Sequence, residues 1–346
     1  MIAVDSIYHV KRRENQTFPA DRIRYIRLPG NLGLSTGGQL LAASLQRKVR
    51  EIHRQCPIHV IHAHAALPCG SAARLLSQEL DIPFVVTVHG LDVFHTCYES
   101  GATARWRKQA SISVYERAGK VICISEKVRQ LVVNEMGPSV ATSVVYNGAD
   151  TGLFAASLRQ ESEKEETPTV LVVGNLFAAK GQELVLRSIA RLKDSYPALR
   201  CQLIGEGADR ERLLALSNDL GLGEQVRFLG RRNRREVAEA MRNCTIFVLP
   251  SRNEGLGCVY LEAMACAKPV VACYGQGIDE IVQHGSNGWL IPADGLEELI
   301  QGLRTLLANA ELRARIGESA RQTIADRLTI SHQAEALHKI YMEAGR

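Results

Sequence analysis

Two acidic residues, one in a glycine-rich turn and one in the helix predicted to follow it, are the most chemically suggestive feature of the sequence. Glu254 and Glu262 have seven residues between them, and residues 254–257 read Glu-Gly-Leu-Gly. An apolar strand precedes this turn and a run of good helix formers follows it, which predicts a helix that begins at the turn. The N–H groups and positive dipole end of such a helix suit a diphosphate, and carboxylates accept hydrogen bonds from hydroxyl groups. Alternatively, Glu254 caps the helix and Glu262 lies on the surface.

Histidines follow two predicted strands of the first half. His89 ends a buried strand, and Gly90 lets the backbone turn sharply so that the imidazole can point towards a ligand, with Asp92 placed to orient it. A lone histidine is more often a structural residue. His62 and His64 share one face of a strand, but no third ligand has suitable spacing, so we interpret them as polar strand-end residues and expect no metal site.

The elements that must position these residues are short apolar strands alternating with amphipathic helices. Helices are predicted over stretches such as residues 40–53 and 104–117, and from about residue 182. The predicted strands are residues 59–62, 84–88, 121–124, 143–145, 169–173, 202–204, 226–229, 245–249 and 270–273. This alternation predicts an α/β fold with doubly wound parallel sheets, whose ligands bind at the carboxyl ends of the strands.

Length and a charged linker predict two domains. A chain of 346 residues exceeds the usual size of one core. Residues 159–168 are charged, poor in apolar side chains and end in proline, which is typical of a linker. We therefore predict domains at residues 1–158 and 168–330 that face each other across a cleft. An amphipathic helix within residues 331–346 is expected to pack back on the first domain.

Composition excludes several classes of protein. With 46% hydrophobic and 23% charged residues, the chain is neither disordered nor fibrous. No apolar run reaches the roughly 18 residues of a membrane helix, and the first residues lack a signal-peptide pattern, so we expect a cytoplasmic protein. Nine scattered cysteines without a C-x-x-C pair favour reduced thiols over disulfides or zinc.

Charge is distributed unevenly along the chain. Residues 1–160 contain 19 Lys and Arg against 12 Asp and Glu, a net charge of +7, whereas the rest of the chain is slightly acidic. The basic half is a candidate for contact with anionic lipid or a phosphorylated partner, and a solvated basic surface explains it equally well. Nucleic acid is less favoured, because the pI of 8.7 is moderate and no aromatic-rich motif is present.

Taken with its neighbours, the segment of residues 254–272 closely resembles the signature of the family 4 glycosyltransferases, retaining enzymes of the GT-B fold with two Rossmann-like domains. Glu-Gly-x-Gly is followed there by Glu-Ala-Met-Ala-Cys and Pro-Val-Val-Ala. The likeness runs from about residue 55 to the end. Further pieces match in the family's order, at residues 87–92, 121–125, 146–150, 173–181, 203–207, 226–230 and 287–290.

The resemblance implies a role for each matched position. His89 would reach the donor sugar, Lys180 would offset charge growing on the departing diphosphate, and Glu254 would bind sugar hydroxyls, which makes these three the catalytic candidates. Alternatively, Lys180 is an ordinary surface lysine whose ammonium group is solvated. The other implied donor-binding residues are Gly255, Leu256 and Gly257 through their backbone, Glu262 at the ribose, Gly174 and Asn175 near the phosphates, and Gly205, Glu206, Gly230 and Arg231 near the base.

One position departs from the family pattern. The family usually has an arginine where this sequence has Asn175. Asparagine keeps a hydrogen-bond donor but lacks the charge, so Lys180 would carry more of the phosphate binding. The basic run at residues 231–235 could also hold phosphate or anionic lipid, although such a run is more often a solvated helix start.

The front of the chain also differs from the family. Family members normally open with a strand, a Gly-Gly loop and a helix before a segment like residues 22–29, and here that segment comes early. An average strand, loop and helix need roughly 20 to 25 residues. We therefore expect either a late-start fragment or a rearranged first domain, and a more stable and more active protein when the chain is extended upstream.

The resemblance implies a retaining glycosyltransferase that moves a sugar from a nucleoside-diphosphate sugar to a glycan or lipid-linked acceptor. Cell-surface polysaccharide or glycolipid synthesis, peripheral contact with an anionic membrane, and no metal or other cofactor are expected. The alternatives are a GT-B sugar-nucleotide epimerase and a truncated non-catalytic protein with the same cleft. A nicotinamide-dependent dehydrogenase is disfavoured, because no strand precedes a G-x-G-x-x-G turn with an acidic residue about 20 positions later.

Overall fold

Parallel sheets organise the chain in the computed structural model. The structure describes residues 2–4, 21–23, 25, 30–90, 93–94, 101–137, 140–156 and 167–345. These residues divide into two compact units, Met1–Val145 with Ala336–Arg346 and Tyr146–Glu335. Both units have the α/β, Rossmann-like character that the alternation of strands and helices predicts.

The first unit contains a four-stranded parallel sheet in the order β3-β4-β5-β6. A separate parallel pair joins β1 (Ile2–Val4) to β2 (Asp21–Ile23). Every residue of β4 is buried, as expected for an apolar strand inside a parallel sheet. The strands of this sheet are β3 (Ile61–His64), β4 (Phe84–Val88), β5 (Lys120–Cys123) and β6 (Thr142–Val144). The helices of the unit are α1 (Gly30–Gln55), α2 (Ser71–Leu80), α3 (Ala102–Tyr115) and α4 (Glu126–Met136).

The second unit contains a six-stranded parallel sheet in the order β12-β11-β10-β7-β8-β9. Strands β8 and β9 follow β7 on one side of it, and β10 then pairs with β7 on its other side. Its strands are β7 (Thr169–Val173), β8 (Arg200–Ile204), β9 (Val226–Gly230), β10 (Ile246–Val248), β11 (Val270–Cys273) and β12 (Trp289–Ile291). The reversal makes β7 and β10 a topological switch point, where sheets of this kind bind ligands.

Within the described part of the chain, six helices lie wholly in the second unit and a seventh begins there. They are α5 (Gln182–Leu192), α6 (Arg210–Asp219), α7 (Arg234–Asn243), α8 (Cys258–Ala265), α9 (Leu296–Ala308) and α10 (Ala310–Arg327), and α11 (Ile330–Ala344) starts after them. Side chains from the last turns of α11 pack in the first unit, where Ile340 joins a buried cluster with Val85, Ile122 and Val145. Within the described ranges, no helix is both long enough and apolar enough to cross a membrane.

The units differ from the predicted domain ranges at both ends of the second unit, since residues 331–335 of the final helix, expected to pack on the first domain, lie in the second unit. Residues 146–156 lie in the second unit, whereas the linker at residues 159–168 would place them in the first. Their hydrogen bonds explain the difference: Tyr146 donates to Glu280 at 2.9 Å, and the Gly148 N–H donates to the Gln333 side chain at 2.9 Å. Residues 157–166 themselves lie outside the described residues.

Candidate active site

Loops of the second unit pack backbone to backbone at the carboxyl ends of β7 and β8. The Leu176 N–H, after β7, donates to the carbonyl of Glu206, after β8, at 3.0 Å. Gly205 has a φ of +145°, and a Cβ there would lie 1.9 Å from the Gly174 carbonyl oxygen. A side chain at Gly205 would force these loops apart, which explains the glycine that the sequence places after β8.

The loops after β7 and β10 approach each other in the same way. The Arg252 N–H donates to the Ala179 carbonyl at 2.6 Å. Gly181 has a φ of +73°, and a Cβ at that position would lie 2.2 Å from the Pro250 carbonyl oxygen. The topological switch therefore brings the residues just before Gly181 against the turn that leads into α8.

This approach pairs Lys180 with Glu254. Lys180 ends a short 3₁₀ turn, and its Nζ donates to Glu254 Oε2, with side-chain exposures of 23% and 15%. The buried Ser251 hydroxyl donates to the same oxygen at 3.1 Å, and the Gln276 side-chain oxygen accepts from the Glu254 N–H at 2.9 Å. Glu254 Oε1 accepts no hydrogen bond from the described residues. The carboxylate is thus held in place with one oxygen left for a ligand.

Helix α8 starts beside this pair. Gly255 and Leu256 are buried, and Gly257 takes a φ of +82° immediately before the first helical residue. Gly277 packs against this turn, where a Cβ would lie 1.7 Å from the Gly255 carbonyl oxygen. The first N–H groups of a helix have no acceptor within the helix, so they can bind an anion here.

Glu262 lies on α8, and the pKa of its carboxyl is raised towards neutrality. Burial raises its pKa to about 7, while Arg234 works in the opposite direction and Asp150 adds to the rise. Arg234 lies between the two acids, 3.9 Å from Glu262 and 3.6 Å from Asp150, with its guanidinium 5.5 Å from the Phe154 ring. This network holds Glu262 in a defined place and gives its charge a strong dependence on pH.

Cys258, the first residue of α8, lies near enough to both acids for their charges to affect its thiol. Asn147 Nδ2 donates to its Sγ at 3.3 Å. Burial raises the pKa of the Cys258 thiol, and the negative charges of Glu262 and Glu254 both raise it further. Both acids therefore act on the same group at the start of α8. Together with the pair of Lys180 and Glu254, this places Lys180, Glu254 and Glu262 in one region of the second unit.

The remaining predicted donor-binding residues lie at the same end of the sheet. Gly174 and the exposed Asn175 directly follow β7. Glu206 follows β8 and lies next to Gly230 at the end of β9, since a Cβ on that glycine would be 3.0 Å from Glu206 Oε1. Arg231 comes next and is exposed. Whether these groups meet a nucleotide stays a prediction.

Several residues of this region were not given a role by the sequence. Ser251 and Gln276 fix Glu254, and the only signal for Ser251 was its position directly after an apolar strand. Arg234 was part of the basic run at residues 231–235, which the structure makes the start of α7, capped by Asn233. Nothing in the sequence distinguished Arg234, which faces Glu262, from the other arginines of that run.

In the first unit, His89 belongs to a row of histidines at the ends of β3 and β4. His89 Nε2 and His64 Nδ1 share a hydrogen bond of 2.8 Å, and their rings stack with centroids 5.0 Å apart. His64 stacks in turn on His62, which is bonded to the Tyr341 hydroxyl at 2.6 Å and to Thr87 at 2.7 Å. The strand-end histidines thus hold His89, a contact that the sequence did not predict.

The three histidines are kept neutral. Burial lowers the pKa of each ring; His89 further lowers that of His64, and both neighbours contribute to lowering the pKa of His62 to about 4. At neutral pH each ring therefore has one donor and one acceptor nitrogen. Asp92, which was expected to orient His89, lies outside the described residues.

Comparison with solved structures defines the class of fold. Sucrose-phosphate synthase from Thermosynechococcus elongatus superposes with a TM-score of 0.78 at 22% identity, covering 93% of this chain and 82% of that one. Anabaena HepE in complex with UDP gives a TM-score of 0.77 at 22% identity, over 94% of this chain and 86% of that one. The fold is that of the GT-B glycosyltransferases.

Sequence comparison gives the family. Residues 7–153 match the family described as Glycosyltransferase Family 4, and residues 155–323 match the family described as Glycosyl transferases group 1. An uncharacterized glycosyltransferase from Methanocaldococcus jannaschii is 31% identical over 268 residues, which cover 77% of this chain and 70% of that protein. The chain therefore belongs to the family 4 glycosyltransferases, as its motifs predicted.

Proposed function

We propose that this glycosyltransferase moves a sugar from a nucleoside-diphosphate sugar to a glycan or lipid-linked acceptor and retains the anomeric configuration. The observation that carries the proposal is the pairing of Lys180 with Glu254 beside the start of α8. An ammonium, an ordered carboxylate and free helix N–H groups in one region match the diphosphate and hydroxyls of such a donor. The complex of HepE with UDP supports this class of donor.

Each group of the site has a task on this donor. The Lys180 ammonium meets the diphosphate and offsets the charge that grows as the glycosidic bond breaks. Glu254 Oε1 accepts from a sugar hydroxyl, while Lys180 and Ser251 hold the other oxygen. The backbone of residues 255–257 meets the sugar and phosphate, and Glu262 accepts from the ribose hydroxyls. Residues 205–206 and 230–231 adjoin the base.

Transfer follows from positioning and charge stabilisation. The acceptor hydroxyl attacks the anomeric carbon from the face that the nucleoside diphosphate leaves, and its proton passes to a departing phosphate oxygen. No side chain forms a covalent bond. His89 contacts the donor sugar, and as a neutral imidazole it can donate a hydrogen bond without adding charge. Lys180 supplies positive charge at the phosphates, so we propose that no metal ion is needed.

The acceptor side of the proposal concerns the first unit. Residues 1–145, which form most of this unit, contain 18 Lys and Arg against 11 Asp and Glu, a net charge of +7 that favours an anionic acceptor or one held at an anionic membrane surface. We place the reaction in cell-surface polysaccharide or glycolipid synthesis at the cytoplasmic face of the membrane. Peripheral contact through basic side chains would suffice for this.

A donor panel tests the proposal. UDP-, GDP- and ADP-sugars are incubated with the protein, and released nucleoside diphosphate is measured with and without candidate acceptors. We expect one base to be preferred, and the proton coupling constant at the anomeric carbon of the product to match that of the donor. Lys180→Ala should lower the turnover of that donor by about 10²-fold to 10³-fold.

Lys193 offers a matched control, because its ammonium donates to the Leu220 carbonyl at 3.0 Å and has no predicted contact with the donor. Lys193→Ala should leave turnover within about twofold of the wild type. An isomerised donor without nucleotide release would identify an epimerase and contradict the proposal. Inversion at the anomeric carbon would contradict the retaining mechanism alone.

A further inference from the structure

A small polar cavity lies within the helical layer of the first unit. It has a volume of about 220 Å³ and is enclosed by α1, the turn of residues 66–70, α2 and α3. Its polar lining comes from Gln39, Ser71, Arg74 and Ser113, and the indole of Trp106, which is 38% exposed, forms one wall. At roughly 30 Å³ for each water molecule, the cavity can hold a phosphate group and part of the ring that bears it.

Arg74 is the unusual member of this lining. Its Nε is buried and has no hydrogen-bond partner among the described residues. An arginine side chain stays charged in proteins, and a buried donor without an acceptor is destabilising. Because this Nε is inaccessible even to a water molecule, a ligand in the cavity would meet the charge of Arg74 through its terminal guanidinium nitrogens.

The neighbouring charges make the cavity positive. No acidic side chain is among the described residues that line it. Of the acids nearby in the chain, Glu79 on α2 is paired with Arg50 at 2.5 Å, and Glu135 on α4 is paired with Lys108 at 3.0 Å. Helix α3, which forms one side, carries three basic residues and no acidic residue. An anion that enters the cavity therefore meets Arg74 without a competing carboxylate in the lining.

Close packing keeps the cavity in shape. A Cβ at Gly38 of α1 would lie 2.4 Å from the Cβ of Ser71, so only glycine allows α1 to approach the start of α2 this closely. The Ser113 hydroxyl donates to the Ala110 carbonyl at 3.2 Å, so it offers no proton to a phosphate oxygen and can only accept from a hydroxyl group of the ligand. The Ser71 hydroxyl can donate to a bound oxygen anion.

We propose that this cavity binds a phosphate group, with Arg74 as its charged partner and the Ser71 hydroxyl as a second donor. The group belongs either to a soluble sugar phosphate or to a lipid headgroup. The Trp106 indole provides an apolar wall for the part of the ligand next to the phosphate. Phosphate binding here does not depend on the donor assignment in the second unit, whereas a role as the acceptor site rests on the proposed function.

Titration with inorganic phosphate at constant ionic strength tests the site. The full chain and its variants are followed by calorimetry. We expect Arg74→Gln to weaken phosphate binding at least tenfold, because a charge-assisted hydrogen bond is lost. Arg105→Gln removes an exposed arginine of α3 and should change the affinity less than twofold. Lys180→Ala should also leave this binding event unchanged, which separates it from any binding at the candidate donor site.

Ser71→Ala provides a second test that keeps Arg74 in place, and we expect it to weaken phosphate binding about threefold to tenfold. Melting curves of each variant show whether it is folded. If Arg74→Gln does not fold, the phosphate affinity of Ser71→Ala tests the proposal instead. Equal phosphate affinity in the wild type and in folded Arg74→Gln, or in Ser71→Ala if that variant alone folds, would overturn the proposal. An absence of phosphate binding to the wild type would do the same.

Two further probes distinguish the sources of the phosphate. Glucose 1-phosphate tests a soluble sugar phosphate, and phosphatidylcholine vesicles containing phosphatidic acid test a lipid headgroup. Binding that falls at least tenfold in Arg74→Gln but not in Arg105→Gln supports the site and names the source. Vesicle binding that survives Arg74→Gln assigns membrane attraction to the general basic surface and excludes the lipid headgroup as the ligand of this cavity.

Discussion

Donor affinity should depend on pH through Glu262. Burial raises the pKa of this carboxyl to about 7, so its ionised fraction rises from about one tenth at pH 6 to about nine tenths at pH 8. Ribose hydroxyls bind the carboxylate more strongly than the protonated acid. If Glu262 holds the ribose, the KM for the donor should fall about tenfold between pH 6 and pH 8, and the Kd for the nucleoside-diphosphate sugar should follow it.

Neighbouring charges allow the midpoint to be moved in both directions. Asp150→Asn removes a negative charge and should shift the midpoint to lower pH, whereas Arg234→Gln removes the stabilising cation and should shift it to higher pH. Glu262→Gln should bind the donor more weakly than the wild type does at pH 8, and its donor affinity should change little with pH. Calorimetric titration with the nucleoside-diphosphate sugar measures these effects without an acceptor, and its diphosphate has no terminal phosphate that titrates between pH 6 and pH 8.

The same carboxyl should also affect stability. Its folded pKa lies above the ordinary value of 4.5, so its protonated form is stabilised on folding, and that contribution is lost as pH rises from about 4.5 through 7. The free energy of unfolding of Glu262→Gln, measured relative to the wild type, should therefore be about 1–3 kcal/mol higher at pH 8 than at pH 5. A wild-type nucleotide affinity that is flat from pH 6 to pH 8, or an equal slope in Glu262→Gln, would refute the reasoning.

Three further predictions concern the same unit. Combining Lys180→Ala with Glu254→Gln should cost less in kcat/KM than the product of the single effects, because the partly buried pair acts together; independent effects would contradict this. Gly205→Ala should lower the free energy of unfolding in urea by more than about 3 kcal/mol through its clash with Gly174, whereas Gly275→Ala, with a φ of +68° and open space, should cost about 1–2 kcal/mol. A chelator should change turnover less than twofold if Lys180 replaces a metal ion, and recovery with added Mg²⁺ would contradict that.

The fold was predictable wherever a strand is an apolar run between turn residues. β4, β7 and β11 have the predicted bounds, because their Val-rich sequences are buried inside parallel sheets. β12 (Trp289–Ile291) was not predicted, since three residues at a sheet edge give no period to detect. The unit boundary was also hidden, because single hydrogen bonds such as that of Tyr146 to Glu280 determine it.

The sequence indicated candidate residues for the site but not the contacts between them. Lys180 and Glu254 are 74 residues apart, and they meet only because β10 returns to the side of β7. No local pattern encodes that return. His64 had the strand-end position that the period of two indicates, but its bond to His89 depends on the register of β3 against β4. Contacts of this kind follow from the order and alignment of strands, which separate motifs do not contain.

The charges of the second unit allow two acids to lie in the region proposed to bind a diphosphate. Two ionised carboxylates would repel the donor, since like charges in a partly buried site interact strongly. Lys180 pairs with Glu254, and Arg234 faces Glu262, whose raised pKa leaves it only partly ionised near neutrality. Each acid can thus accept hydrogen bonds from hydroxyls at little cost in repulsion. Removing either cation should therefore weaken the binding of a nucleoside diphosphate more than it weakens the binding of the uncharged nucleoside.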